Sequence, residues 1–320
     1  MALLDGVPGF DRLAAERLAR DVFDFDGRAE PLPGERDQNF RLTDASGSAR
    51  VLKIANAKDS LFAVAVQVQL ANRVRAAVPG LCAAGRRGAV RAGVPSGARD
   101  TVPARLRVDW GKRIAQIDRA LEGFDDPFLH RPLEWRLETA ADEIARRRDL
   151  LDPDLRPIVD ALLAGYERLT APCLPRLRRG AIHNDANDHN LLVAEDRDRV
   201  AGVLDFGDAV HGFLVADLAV AAAYAILGQP EPLDALADVV AGYAAVLPLE
   251  PAEQDALYGL VCLRLCLSAA MAAEKRRARP DDPYLVVSQG PIAEALPKLA
   301  ERPFEFGAAV VRAACDPATP

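Results

Sequence analysis

Hydrophobic positions change rhythm along this chain of 320 residues. Phe10, Leu13, Leu18 and Val22 recur at near-helical spacing and predict a short amphipathic helix. Residues 31–34, Pro-Leu-Pro-Gly, break it. Runs at 39–44 and 49–55 flank Asp44-Ala45-Ser46-Gly47-Ser48 and read as a β-hairpin with its turn. A helix is expected over 60–75. Beyond Trp110 the rhythm is helical: Ile114, Ile117, Leu121 and Phe124 share one face, and further helices are expected over 137–151, 155–169, 214–227, 232–245 and 251–273. One β-like island interrupts them at 181–208. It holds Leu191-Leu192-Val193, a polar turn at 195–198, and an apolar run at 200–204. A mixed first part and a mostly helical second part predict an α+β fold of two lobes with a cleft between them, divided near residue 105.

The window 76–105 fits neither rhythm. Of its 30 residues, 21 are Ala, Gly, Arg or Pro, and none is aromatic, so it lacks the residues that build sheets. Composition elsewhere is that of a globular enzyme, 50% hydrophobic and 27% charged. The net charge of -7 argues against a basic, nucleic-acid-coating surface. No membrane span is expected, because the most apolar run, 213–227, is short and contains Asp217. The amino terminus has no basic segment of the kind that starts a signal peptide. Five scattered cysteines fit a reducing cytoplasm, and Cys262 and Cys266 read as core packing.

Candidate chemistry concentrates in Ile182-His183-Asn184-Asp185-Ala186-Asn187-Asp188-His189-Asn190-Leu191. A loop this polar beside strands that must be buried needs partners for its charges; a metal or phosphate would supply them. The alternative is a surface loop with incidental acids. Val203-Leu204-Asp205-Phe206-Gly207-Asp208 follows as a strand ending in an acid. A hairpin from Asn190 to Asp205 would gather Asp185, Asn190 and Asp205 at one end. Oxygen ligands from Asn and Asp suit Mg²⁺ carrying phosphates, and the free Asp suits a hydroxyl nucleophile. Four histidines in the whole chain leave little for a histidine-ligated hydrolytic metal.

His183-x-Asp185-x4-Asn190 followed by Asp205-Phe206-Gly207 resembles the catalytic loop and metal motif of the aminoglycoside phosphotransferase and choline kinase family. These are small-molecule relatives of the protein kinases. Residues 32–40, 51–56, 208–227 and 282–285 are similar to its hydroxylysine kinase-like branch, which also occurs fused ahead of class III aminotransferases. The resemblance implies a protein kinase-like fold with a small nucleotide-covering lobe and a larger helical one. It implies transfer of phosphate from ATP or GTP to a hydroxyl of a small, amine-bearing molecule, hydroxylysine being the first to try. Asp185 would be the base. Asn190 and Asp205 would hold Mg²⁺, Lys53 would contact the α/β-phosphates, and the turn with Arg36, Gln38 and Asn39 would cover the nucleotide. His183 would shape the loop and Asp217 would brace it. Asp208 would line the substrate site or cap the helix after Phe213. Trp135 and Tyr224 read as core aromatics.

Two departures stand out. The family pairs its lysine with a glutamate on the next helix, where this chain has Ala65 with Gln67 and Gln69 nearby. The window 76–105 stands where two strands and a purine-binding hinge belong. A frame change in GC-rich DNA would leave such a segment, and nucleotide binding would then be weak and indifferent to the base. A non-catalytic binding module, a pseudokinase, is the rival that both departures favour.

Overall fold

In the computed structural model the described residues are 8–32, 37–79, 81, 90–92, 102–194, 198–278 and 289–316. The chain divides into two units, Met1–Ala89 and Val90–Pro320. In the first, helix α1 (Arg12–Phe23) begins where the side chain of Asp11 accepts the Ala14 amide. An antiparallel sheet follows in the order β1 (Arg28–Leu32), β2 (Gln38–Thr43), β3 (Ala49–Ile54). Their shared core is Ala15, Ala19, Phe25, Ala29, Phe40, Leu42 and Leu52.

The expected apolar stripe of α1 is corrected here. Leu13 and Val22 are 64% and 61% exposed, while Ala15 and Ala19 are fully buried. Small side chains let the helix backbone approach the sheet, and this close approach outweighs periodicity of larger residues. The break expected at 31–34 is also revised, because Pro31 lies inside β1. Among the described strands β1 lies at the edge of the sheet, where proline is tolerated. The β2–β3 hairpin forms as its turn sequence requires. The Asp44 carboxylate accepts the amides of Ser46 and Ser48 at 2.8 and 2.9 Å, and Gly47 takes φ +78°. Helix α2 (Leu61–Ala77) is capped by Ser60 and buries Ala63, Val66, Leu70 and Val74. Among the described strands, β3 pairs with β2 alone.

Within 76–105 the described strand is β4 (Val90–Ala92), which belongs to the second unit and pairs with β6 (Leu191–Ala194). Most of the rest of that window lies outside the described residues. Residue 105, the expected point of division, lies in the first turn of α3 (Ala104–Leu121), inside the second unit that begins at Val90. Helix α3 ends before Phe124, so that residue does not extend its face.

Helices α4 (Ala140–Arg147), α5 (Arg156–Gly165), α6 (Leu214–Ala225), α7 (Pro232–Ala244), α8 (Pro251–Ala278), α9 (Gln289–Ala300) and α10 (Phe304–Cys315) complete the second unit. The last two were not evident from the apolar pattern. Helices α3 and α7 cross at reciprocal glycines: a Cβ on Gly111 would overlap the Val239 carbonyl, and one on Gly242 the Val108 carbonyl. Helix α8 is long and apolar enough to cross a membrane, yet its apolar window is entirely buried by the protein itself. Its uninterrupted burial from Ala256 to Ala273 makes it the axis of the unit, with α6 packed alongside.

Two short antiparallel pairs carry the polar loops. β5 (Arg179–Ile182) pairs with β8 (Val210–Phe213), and β6 pairs with β7 (Val200–Val203). The β6–β7 register sets Leu191 opposite Val203, and the Leu204 amide donates to the Asn190 carbonyl at 2.8 Å. The hairpin thereby delivers Asn190 and Asp205 to one end, which is where the loop between β5 and β6 returns.

Candidate active site

The loop of residues 183–190 is held by buried groups on both sides. Asn184 adopts φ +65°, and the amides of His183 and Asn184 both donate to the Asp217 carboxylate, at 2.8 and 2.5 Å. Asp217 is fully buried in the first turn of α6. The His183 ring accepts the Asp185 amide on Nδ1 at 3.2 Å, so Nε2 carries the proton and donates to the Leu204 carbonyl at 2.9 Å. With both ring nitrogens engaged, His183 links the Asp185 loop to the strand end at Asp205. The Phe206 ring packs on it at 4.7 Å.

Asp185 is surrounded by donors. Its Oδ1 accepts Asn187 Nδ2 at 2.9 Å and Arg264 Nη2 at 3.0 Å. Asn190 Nδ2 donates to Asp185 Oδ2 at 2.8 Å and to its carbonyl at 2.7 Å. Both partners of that Asn190 atom are oxygens, which fixes it as the nitrogen. The amide oxygen of Asn190 is therefore turned away from Asp185. Burial, and then the carboxylates of Asp208 and Asp205, push the Asp185 carboxyl up to about 8, with Arg264 pulling the other way. The side chain keeps 24% exposure, which leaves it reachable by a small molecule.

Asp205, at φ +64°, accepts the Gly207 amide on Oδ1 at 2.9 Å and is exposed. The Asn190 amide oxygen, not used on Asp185, and the exposed Asp205 carboxylate lie at the same end of the β6–β7 hairpin, and oxygen donors of this kind suit Mg²⁺. Among the described residues no three His, Cys, Asp or Glu side chains gather into a protein-only cation cage. Mg²⁺ does not need one, since it takes one or two protein ligands plus phosphate and water oxygens. Asp208 lies close enough to influence Asp185 but does not cap α6, whose first residue has no side-chain cap.

The remaining expected residues lie in the first unit. Lys53, on β3, stands opposite Asn39 on β2. Its Nζ is 2.8 Å from Asp37 Oδ2 and 3.5 Å from Gln67 Oε1 on α2. Gln38 uses both ends of its side-chain amide on the Phe10 backbone, at 2.8 and 2.7 Å, which ties the start of β2 to the chain before α1. Arg36 and residues 282–285 lie outside the described residues.

Three residues near the loop escaped the sequence reading. Arg264 is 1% exposed in the middle of α8, stacks 4.6 Å from the Trp135 ring, and donates Nη1 to the Trp135 carbonyl at 3.3 Å. Tyr224 flanks it at 5.7 Å. The available signal was a lone arginine inside the apolar run Val261-Cys262-Leu263-Arg264-Leu265, since a buried guanidinium needs an anion. Arg131 donates to the carbonyls of Gly207 and Ala209, each at 2.6 Å, and so clamps the segment bearing Asp208. Asp118, on α3, is buried against Asp217 and accepts the Tyr243 hydroxyl at 2.5 Å. Burial and the Asp217 charge raise its carboxyl well above the ordinary range. His211, in β8, stacks on His130 at 4.7 Å.

A family model described as "Phosphotransferase enzyme family" matches residues 28–253. A hydroxylysine kinase of Danio rerio is 30% identical over 292 residues, 81% of this chain and 82% of that protein. A homoserine kinase of Gluconobacter oxydans (strain 621H) is 31% identical over 179 residues, 54% of this chain and 55% of that protein. The crystal structure of a choline/ethanolamine kinase family protein from Mesorhizobium loti matches with a TM-score of 0.63 at 18% identity, covering 93% of this chain and 98% of that one. That likeness is one of fold.

Proposed function

The chain belongs to the phosphotransferase enzyme family, and we propose that it moves the terminal phosphoryl group of ATP or GTP to a hydroxyl of a small molecule. The acceptor class is a hydroxylated amino acid or amino alcohol, with hydroxylysine first. The relatives named hydroxylysine kinase and homoserine kinase support that class, since both names specify a hydroxylated amino acid.

The observation that carries the reading is the environment of Asp185. Two donors occupy Oδ1 and one occupies Oδ2, so Oδ2 keeps a lone pair for the acceptor hydroxyl. As the acceptor oxygen bonds to phosphorus and the bond to the leaving nucleoside diphosphate breaks, the hydroxyl proton passes to Asp185 Oδ2. Phosphate goes directly to the acceptor, with Asp185 serving as base and not as nucleophile. Asn190 and Asp205 would hold Mg²⁺, whose charge offsets that of the phosphates when it is bound. Lys53 would contact the α/β-phosphates. His183 and Asp217 hold the Asp185 backbone in place throughout, and Arg264 with Asn187 aims its side chain.

The test is nucleotide consumption with a panel of hydroxy amino acids and amino alcohols, hydroxylysine among them, with and without Mg²⁺. Phosphorus NMR identifies the product. Acceptor-dependent formation of a phosphomonoester is expected. Failure of every acceptor, together with no Mg²⁺-dependent nucleotide binding, would refute the reading.

A further inference from the structure

We propose that Asp37 is the positioning residue for Lys53, supplying from the chain just before the neighbouring strand the negative charge that no residue of α2 provides. The proposal rests on the phosphotransferase reading of Lys53 as a phosphate contact. Helix α2 reads LFAVAVQVQLANRVRAA and contains no acid. The α2 group that reaches the ammonium is the Gln67 amide oxygen, at 3.5 Å, a dipole that accepts a hydrogen bond without neutralising charge. The carboxylate of Asp37 is closer, with Oδ2 at 2.8 Å from Nζ.

Two features make this pair more than a surface contact. Both partners are substantially shielded, with side-chain exposures of 27% for Lys53 and 12% for Asp37. Asp37 is also fixed at its other oxygen, since Oδ1 accepts the Asn56 amide at 2.9 Å. The strand register explains why. Gln38 stands opposite Ile54, so the chain one residue earlier meets the chain just after β3. The carboxylate bridges an amide two residues past Ile54 and the lysine one residue before it.

The consequence is mechanical. Where a helix glutamate holds the lysine, the ion pair forms only when the helix is docked, and helix position can switch activity. Here Lys53 sits on β3 and Asp37 directly precedes β2, the strand paired with it. The pair is therefore present whenever the β2–β3 hairpin is folded, and Lys53 is presented to phosphates independently of α2. An isolated exposed ion pair would contribute little, but one fixed by a second hydrogen bond loses less side-chain freedom on forming.

The test is a calorimetric titration of the full chain with Mg²⁺–ATP, run beside chemical denaturation. Lys53→Met is expected to weaken binding by about tenfold or more, the size of one charge-assisted contact. Asp37→Asn is expected to weaken it by about five- to tenfold, and Asp37→Glu, which keeps the charge, by no more than about threefold. Adding Gln67→Glu to Asp37→Asn moves the carboxylate to α2 and should restore affinity to within about threefold of the unaltered protein. A purely structural Asp37 would not be rescued from α2. Binding unchanged or tightened in Asp37→Asn while Lys53→Met loses affinity would overturn the proposal alone. So would equal losses in Asp37→Asn and in the double variant. No loss in Lys53→Met would overturn the phosphate-contact reading, and the proposal with it.

Discussion

Replacing Arg264 by methionine keeps the length and apolar body of the side chain and deletes its charge. In the folded protein Nη2 is 3.0 Å from Asp185 Oδ1, Nη1 is 3.3 Å from the Trp135 carbonyl, and the guanidinium stacks on the Trp135 ring. Removing one partner of a buried ion pair costs roughly 3–5 kcal/mol, because the other charge is left uncompensated. Asp185 retains 24% exposure and two amide donors, so water and Asn187 and Asn190 take over part of the work. The lower end, about 3 kcal/mol, is the expected loss of stability. Turnover should fall about a hundredfold, since a carboxylate freed on one side no longer meets the hydroxyl in line. Nucleotide affinity should hold. The cation also lowers the Asp185 pKa, so its removal should move the acid limb of the rate profile to higher pH. The assay is a double-mutant cycle with Asp185→Asn, read by denaturation and by kcat. A coupling of about 1–3 kcal/mol is expected, because each variant strands the other's charge. Costs that add to within about 0.5 kcal/mol would refute direct pairing. Equal losses of kcat and nucleotide affinity would refute the positioning role.

Asp185→Asn should lower turnover by about two to four orders of magnitude with nucleotide affinity little changed, measured by steady-state kinetics and titration. Near-normal turnover would remove Asp185 from the chemistry. Asp205→Ala should abolish the Mg²⁺ dependence of nucleotide binding, read by titration with and without the cation; an unchanged dependence would count against its ligand role. Asp118 predicts a pH effect. Its folded pKa is raised, so the folded state holds a proton that the unfolded chain releases above the ordinary carboxylate pKa of 3.8. Stability should therefore fall as pH rises above about 4, and Asp118→Asn should flatten that decline in denaturant melts. A slope unaffected by the substitution would show that the proton does not reside there.

Some of this protein was determined by neighbours in the chain. Ser60 caps α2 through the Ala63 amide three residues on, and Asp44 closes its turn through Ser46 and Ser48. Asp185, Asn190 and Asp205 belong to the same class, since a hairpin with a short turn can deliver its two ends to only one place. Hydrogen bonds and periodicity within a few residues are fixed by covalent geometry, so the motif was legible before any packing was known. The partners of the charges were not. Arg264 meets Asp185 across 79 positions, and Arg131 meets Gly207 across 76. Asp37 reaches Lys53 only because β2 and β3 pair in one particular register. Likewise, α1 buries alanines and exposes Leu13 and Val22 because the sheet rewards close approach more than side-chain size. A lone arginine in an apolar helix announces that some anion must lie nearby, since a buried charge without one is too costly. Which anion it is depends on how α8 packs against the loop after β5, and tertiary structure alone decides that.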